Sequence, residues 1–188
     1  MLEEYLCFRS VPNPGNKISG IQYYYQYNGF PLCSIDVLQH SENHSITIQS
    51  ITTDYAIRYS ECKFEHLGTR IVIDMLIDMV YRLNYQIVRM DAWLSYADNL
   101  NGNWKKSLPF YINLPKWISA VLPCEIQLNI KDCKKITIDP NEILDNIDLF
   151  CAQTHDDLFV SYQIQWKDTE YIPNILPLKT RRPEMEYL

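Results

Sequence analysis

Between residues 69 and 84 the apolar side chains Ile71, Val72, Met75, Leu76, Met79, Val80 and Leu83 recur at the spacing of one helical face. A β-rich run precedes them, from Ile46 to Arg58, and another follows, from Gln86 to Leu94. Strand, helix and strand with short links predict a β-α-β unit with parallel strands and a right-handed crossover. Ligands in such units sit at the carboxyl ends of the strands, here the loop at 59–68. A helix that starts near Gly68 exposes unpaired N–H groups and the positive end of its macrodipole, a setting that suits phosphate.

The remaining elements build outward from this unit. Residues 3–9 read as a first strand, broken by Pro12 and Pro14-Gly15. Residues 20–38 read as a hairpin, with Ile21, Tyr23, Tyr25 and Tyr27 on one side and Asn28-Gly29 as a turn that needs φ > 0. The strand from Ile46 is long enough to carry a bulge. Trp104 to Leu114 reads as a short helix limited by Pro109. Residues 124–130 form a strand. Asp139-Pro140-Asn141-Glu142 is a helix start, with Asp as cap and Pro at the first position, and the helix should run to about Phe150. Asp157 to Trp166 is the last strand, and prolines 173, 177 and 183 predict an extended tail. The expected class is α/β (α+β), a mixed, largely antiparallel twisted sheet with a central β-α-β unit and a C-terminal α+β extension.

Composition sets further bounds. The chain has 188 residues, of which 47% are hydrophobic and 21% charged, an ordinary globular mix. Five glycines leave few places for a Gly-rich phosphate loop. The net charge of −6 disfavours nucleic acid and anionic membranes as partners. It also weighs against reading the tyrosine run as a base-stacking platform, since aromatic residues are favoured in strands anyway. No run approaches the roughly 20 apolar residues that span a bilayer. The six cysteines form no C-x-x-C, and the acidic start Met1-Leu2-Glu3-Glu4 has no apolar signal core, so the expectation is a cytoplasmic protein with free thiols.

Other constellations carry less chemistry. Arg70, Asp74, Asp78 and Arg82 step along one helix face at i,i+4 and read as a surface salt ladder rather than as paired catalytic acids. His40 and His44 flank a turn, and His155 with Asp156 and Asp157 reads as a solvated turn, so no metal site is expected. Cys62 lies near a helix start that would lower its pKa, but no histidine is placed to activate it.

The loop Lys63-Phe64-Glu65-His66-Leu67-Gly68, continued by Thr69-Arg70-Ile71, resembles the pyrophosphate loop of the GNAT superfamily of acetyl-CoA-dependent N-acetyltransferases. That pattern is Arg or Gln, two residues, Gly, one residue, then Gly or Ala. Phe110-Tyr111 with its short turn and the hairpin turn Asn28-Gly29-Phe30-Pro31-Leu32 are also similar to the family, and the likeness covers about residues 20–115. Lys63 stands where the family has Arg or Gln. His66 stands where its glycine lets backbone approach phosphate, and a Cβ there obstructs that approach. The resemblance implies a GNAT-like core over 1–118, an extension completing the sheet over 119–172 and a tail over 173–188. It implies acetyl transfer from acetyl-CoA to a primary amine of a small molecule or peptide. Lys63, Phe64, Glu65, His66, Leu67, Gly68, Thr69, Arg70 and Asn103 would contact the cosubstrate. Tyr111 would act beside the thioester sulfur, and Asp54, the only acid within 46–58, is the candidate base. The alternative is a non-enzymatic interaction module on the same fold, pairing with a protein partner or a second copy through its tyrosine-rich hairpin or its C-terminal extension.

Overall fold

A computed structural model describes residues 4–9, 17–27, 30–40, 42–53, 66–82, 89–167 and 178–181. The chain forms two compact units, Met1–Ile87 with Ile172–Leu188, and Val88–Tyr171. The boundary expected at 118/119 falls within the second of these units. Both units have the mixed α+β character expected, with largely antiparallel strand pairing.

In the first unit, β1 (Glu4–Arg9), β2 (Ile18–Tyr27), β3 (Phe30–His40) and β4 (Ser45–Thr52) pair antiparallel in sequence order. β9 (Leu178–Arg181) adds to β1 in parallel, so this part of the expected tail is a sheet strand. The expected bulge is present. Asp36 pairs with Ser50 and Val37 with Ile48, which leaves Gln49 as the extra residue. The bulge follows from the isoleucine spacing, because a regular strand that buried Ile46 and Ile48 would bury Ser50 next. One added residue puts Ile51 opposite the buried Ile35 instead. The Asn28-Gly29 turn and residues 54–58 lie outside the described residues.

Helix α1 (Leu67–Ile77) covers the inner face of β2 and β3 with Ile71, Val72, Met75 and Leu76, all fully buried. It continues as one π-helical turn, Asp78–Arg82. From the sheet side, Ile21, Tyr23, Tyr25, Ile35 and Val37 meet it. The alternating tyrosines are therefore core residues. The parallel pairing expected for the strands flanking α1 would join the two units, and the link at 83–88 lies outside the described residues.

In the second unit β5 (Arg89–Leu94), β8 (Leu158–Trp166), β6 (Cys124–Asp132) and β7 (Thr137–Ile138) form an antiparallel sheet in the order β7-β6-β8-β5. After the short helix α2 (Tyr96–Leu100), helix α3 (Trp104–Ser119) packs on β6. Trp104, Leu108, Tyr111, Leu114 and Ile118 form its buried stripe.

α3 is longer than the sequence predicts and contains Pro109 and Pro115. Proline at 115 removes the N–H that would donate to the Tyr111 carbonyl one turn back. The Tyr162 hydroxyl of β8 donates to that carbonyl instead, at 2.9 Å, and the helix continues. The Asp139 carboxylate caps α4 (Pro140–Asp145) by accepting the Asn141 N–H at 2.9 Å, as its sequence predicts. That helix stops early. The Asn146 side chain accepts the Leu149 N–H at 3.2 Å and starts a separate helix, α5 (Ile147–Gln153). No helix among the described residues is long and apolar enough to cross a membrane.

Candidate active site

The start of α1 leaves backbone N–H groups outside the helical hydrogen-bond ladder. Arg70 N–H is the first to bond within the helix, to the His66 carbonyl at 3.0 Å, and the N–H groups of Leu67, Gly68 and Thr69 precede it. The first turn holds no acidic residue, and the His66 side chain makes no capping hydrogen bond. His66 is exposed and left-handed, at φ 58° and ψ 29°. Glycine adopts this conformation without cost, whereas a Cβ strains it by roughly 1–2 kcal/mol. The position where the resemblance has glycine thus carries a histidine in the backbone state glycine favours. Thr69 is buried and Arg70 exposed. Lys63, Phe64 and Glu65 of the loop, and Asp54, lie outside the described residues.

Two tyrosine–aspartate pairs fix α1 to the sheet behind this terminus. The Tyr25 hydroxyl donates to Asp74 Oδ2 at 2.5 Å, and the Tyr23 hydroxyl donates to Asp78 Oδ2 at 2.9 Å. The pairing is a matter of spacing: i and i+2 on a strand share a face, as do i and i+4 on a helix. Asp78 has no exposed surface, so the expected surface salt ladder is corrected. A hydroxyl that reaches from sheet to helix offsets the desolvation of the buried carboxylate. Burial, and after it the Asp74 charge, holds the Tyr25 phenol well above its ordinary range.

Tyr111 and Asn103 belong to the second unit. Asn103 precedes α3, is exposed, and caps the helix through its backbone carbonyl, which accepts from Lys106 and Ser107 at 3.0 Å each. Its side-chain amide lies 3.5 Å from Asp98 Oδ1. Tyr111 is only 8% exposed and packs edge-on against Phe110 at 5.2 Å. Its hydroxyl makes no hydrogen bond with another described residue. Burial, and secondarily the Asp98 charge, pushes the Tyr111 phenol up to about 12. A phenol so placed stays protonated at neutral pH and is not a base there.

The acidic turn after α5 has a structural role. Tyr96 N–H donates to Asp157 Oδ1 at 2.6 Å, and the Tyr96 hydroxyl meets His155 Nδ1 at 3.2 Å. No group of three or more His, Cys, Asp or Glu that would hold a metal occurs among the described residues. The tyrosine–aspartate pairs are the feature that reading the sequence missed. Their signal was the two coincident spacings, Tyr23/Tyr25 and Asp74/Asp78.

No protein-family profile matches the chain, and no curated protein matches it in sequence. Solved structures do. An acetyltransferase from Bacillus anthracis strain Ames, in complex with acetyl coenzyme A, matches at 12% identity and TM-score 0.41, over 78% of this chain and 62% of that one. A ribosomal-protein alanine N-acetyltransferase from Escherichia coli matches at 11% identity and TM-score 0.37, over 81% and 74%. An IAA acetyltransferase from Bacillus cereus matches at 8% and 0.36, over 78% of each chain. All three are acetyltransferases. This chain spans less than two thirds of the length of the first.

Proposed function

We propose that this chain is an N-acyltransferase that moves an acetyl group from acetyl-CoA to a primary amine. The observation that carries the proposal is the start of α1, with left-handed His66 in the place of the motif glycine. The N–H groups of Leu67, Gly68 and Thr69, with the loop backbone from Lys63 to Glu65, would hold the pyrophosphate. The exposed Arg70 supplies positive charge beside it. A base, for which Asp54 is the candidate, takes a proton from the substrate ammonium. The amine then attacks the thioester carbonyl, the new C–N bond forms as the C–S bond breaks, and the departing thiolate takes up a proton, a step for which the resemblance names Tyr111 as the candidate donor. The net charge of −6 favours a cationic acceptor, either a small amine or a lysine-bearing peptide. Free thiols at Cys33, Cys124, Cys133 and Cys151 fit a reducing, cytoplasmic setting.

His66→Gly is the test. It removes the Cβ from the phosphate approach and keeps the backbone state, so acetyl-CoA affinity should rise about tenfold, equivalent to roughly 1.4 kcal/mol. Thermal stability should hold or increase slightly, as left-handed strain is relieved. Calorimetric titration and thermal unfolding of both proteins read this out. Unchanged affinity in a variant that folds would remove the α1 terminus from the cosubstrate site.

A further inference from the structure

The outward face of the second unit's sheet has no part in acyl transfer, yet its chemistry is specific. In register across β5, β8 and β6, Trp93 stands beside Phe159, and Phe159 beside Lys131. Trp93 is 60% exposed and Phe159 46%. Two exposed aromatic side chains at paired register positions leave apolar surface in water on this face. The same face holds an open groove of about 1100 Å³, lined by Phe159, Asn129, Gln163, Lys131 and Lys135.

The groove is lined by the cations Arg89, Lys131 and Lys135 and the carboxylates Asp132 and Asp139, a small positive excess. Its carboxylates are already engaged: Asp132 accepts the Ile136 N–H at 2.8 Å, and Asp139 caps α4. Lys131 and Lys135 have no ion pair among the described residues, nor do the Asn129 and Gln163 amides have a hydrogen-bond partner there. The exposed Phe159 ring, two amides and two lysines without an ion pair among the described residues thus line one groove, with Trp93 next to Phe159 in register beyond its lining, in a chain of net charge −6.

We propose that this groove binds a nucleotide. The base stacks on Phe159 and Trp93, Asn129 and Gln163 hydrogen-bond its edge, and Lys131 and Lys135 hold the phosphate. A neutral sugar would leave the lysines without a role, and a bare phosphate would leave the rings without one. A long polyanion is opposed by the net negative charge of the chain. The volume is that of a small-molecule site, about 300–1,000 Å³ or slightly more.

The test titrates the full chain with adenosine and uridine 5′-monophosphates, followed by tryptophan fluorescence and calorimetry. Saturable binding is expected with a dissociation constant below about 1 mM, or at least about 4 kcal/mol. The fluorescence change should vanish in Trp93→Phe. Phe159→Ala, and Lys131→Glu combined with Lys135→Glu, should each weaken binding about tenfold or more, since each removes a stacking or phosphate contact. All these side chains lie on the surface face, so thermal midpoints should not move. Three results would each overturn the proposal. One is the absence of saturation at about 5 mM, well above the weakest site expected. Another is binding that ignores both sets of substitutions. The third is a concentration-dependent dimer, seen by sedimentation and abolished by Phe159→Ala, which would make the face a contact between copies.

Discussion

Replacing Tyr111 by Phe should lower kcat for acetyl transfer by about 10²–10⁴-fold, the range for loss of a positioned proton donor. The expectation rests on what the substitution keeps. The ring stays in the α3 stripe, and the Tyr111 carbonyl still accepts from Tyr162. The lost hydroxyl has no partner in the described structure, so stability should change by less than about 1 kcal/mol. Acetyl-CoA affinity should be unaffected, because the proton is needed only as the C–S bond breaks. With the phenol pushed up to about 12, the donor stays protonated across the neutral range, so any alkaline fall of kcat below that belongs to another group. Steady-state kinetics with a cationic amine, together with calorimetric binding of acetyl-CoA, separates these quantities. A variant with full kcat would take Tyr111 out of the reaction.

Trp104→Ala should be the most damaging core substitution in the second unit, costing about 3–5 kcal/mol. Trp104 has no exposed surface and is the largest fully buried side chain. It begins the stripe that continues through Leu108, Tyr111, Leu114 and Ile118. Its indole Nε1–H, however, has no hydrogen-bond partner among the described residues. An unpaired buried donor costs roughly 1–3 kcal/mol, so Trp104→Phe trades lost volume against relief of that penalty. The Phe variant should therefore retain most of the stability that Ala loses. Urea unfolding of the three proteins measures it. Equal losses in both variants would mean that the indole N–H is hydrogen-bonded in solution and that its removal, not lost volume, sets the cost.

Local rules were enough for some features. The start of α4 follows from Asp139-Pro140, and the β4 bulge follows from the Ile46, Ile48, Ile51 spacing. The facing of Ile21, Tyr23 and Tyr25 into the core follows from simple alternation. Features that depend on remote partners were not legible. α3 passes Pro115 because a hydroxyl 51 residues away takes over the orphaned carbonyl, and no window of sequence contains both groups. Asp78 reads as a surface acid until β2 brings Tyr23 to it. Asn146 is a local exception: its backbone leaves the helical conformation and its side chain accepts the Leu149 N–H, which ends α4 and starts α5. At the candidate site, the sequence located the helix start and named His66 as its obstacle. The left-handed backbone that makes His66 resemble glycine belongs to φ and ψ, which composition does not encode.

The central claim is that the start of α1 holds acetyl-CoA, and isothermal titration of the purified chain with acetyl-CoA tests it most directly. Micromolar binding, about 8 kcal/mol, is predicted. It should be accompanied by a ligand-dependent rise in the thermal midpoint and weakened by Gly68→Pro. No heat of binding and no thermal shift up to millimolar ligand, in a sample that unfolds cooperatively, would contradict the account.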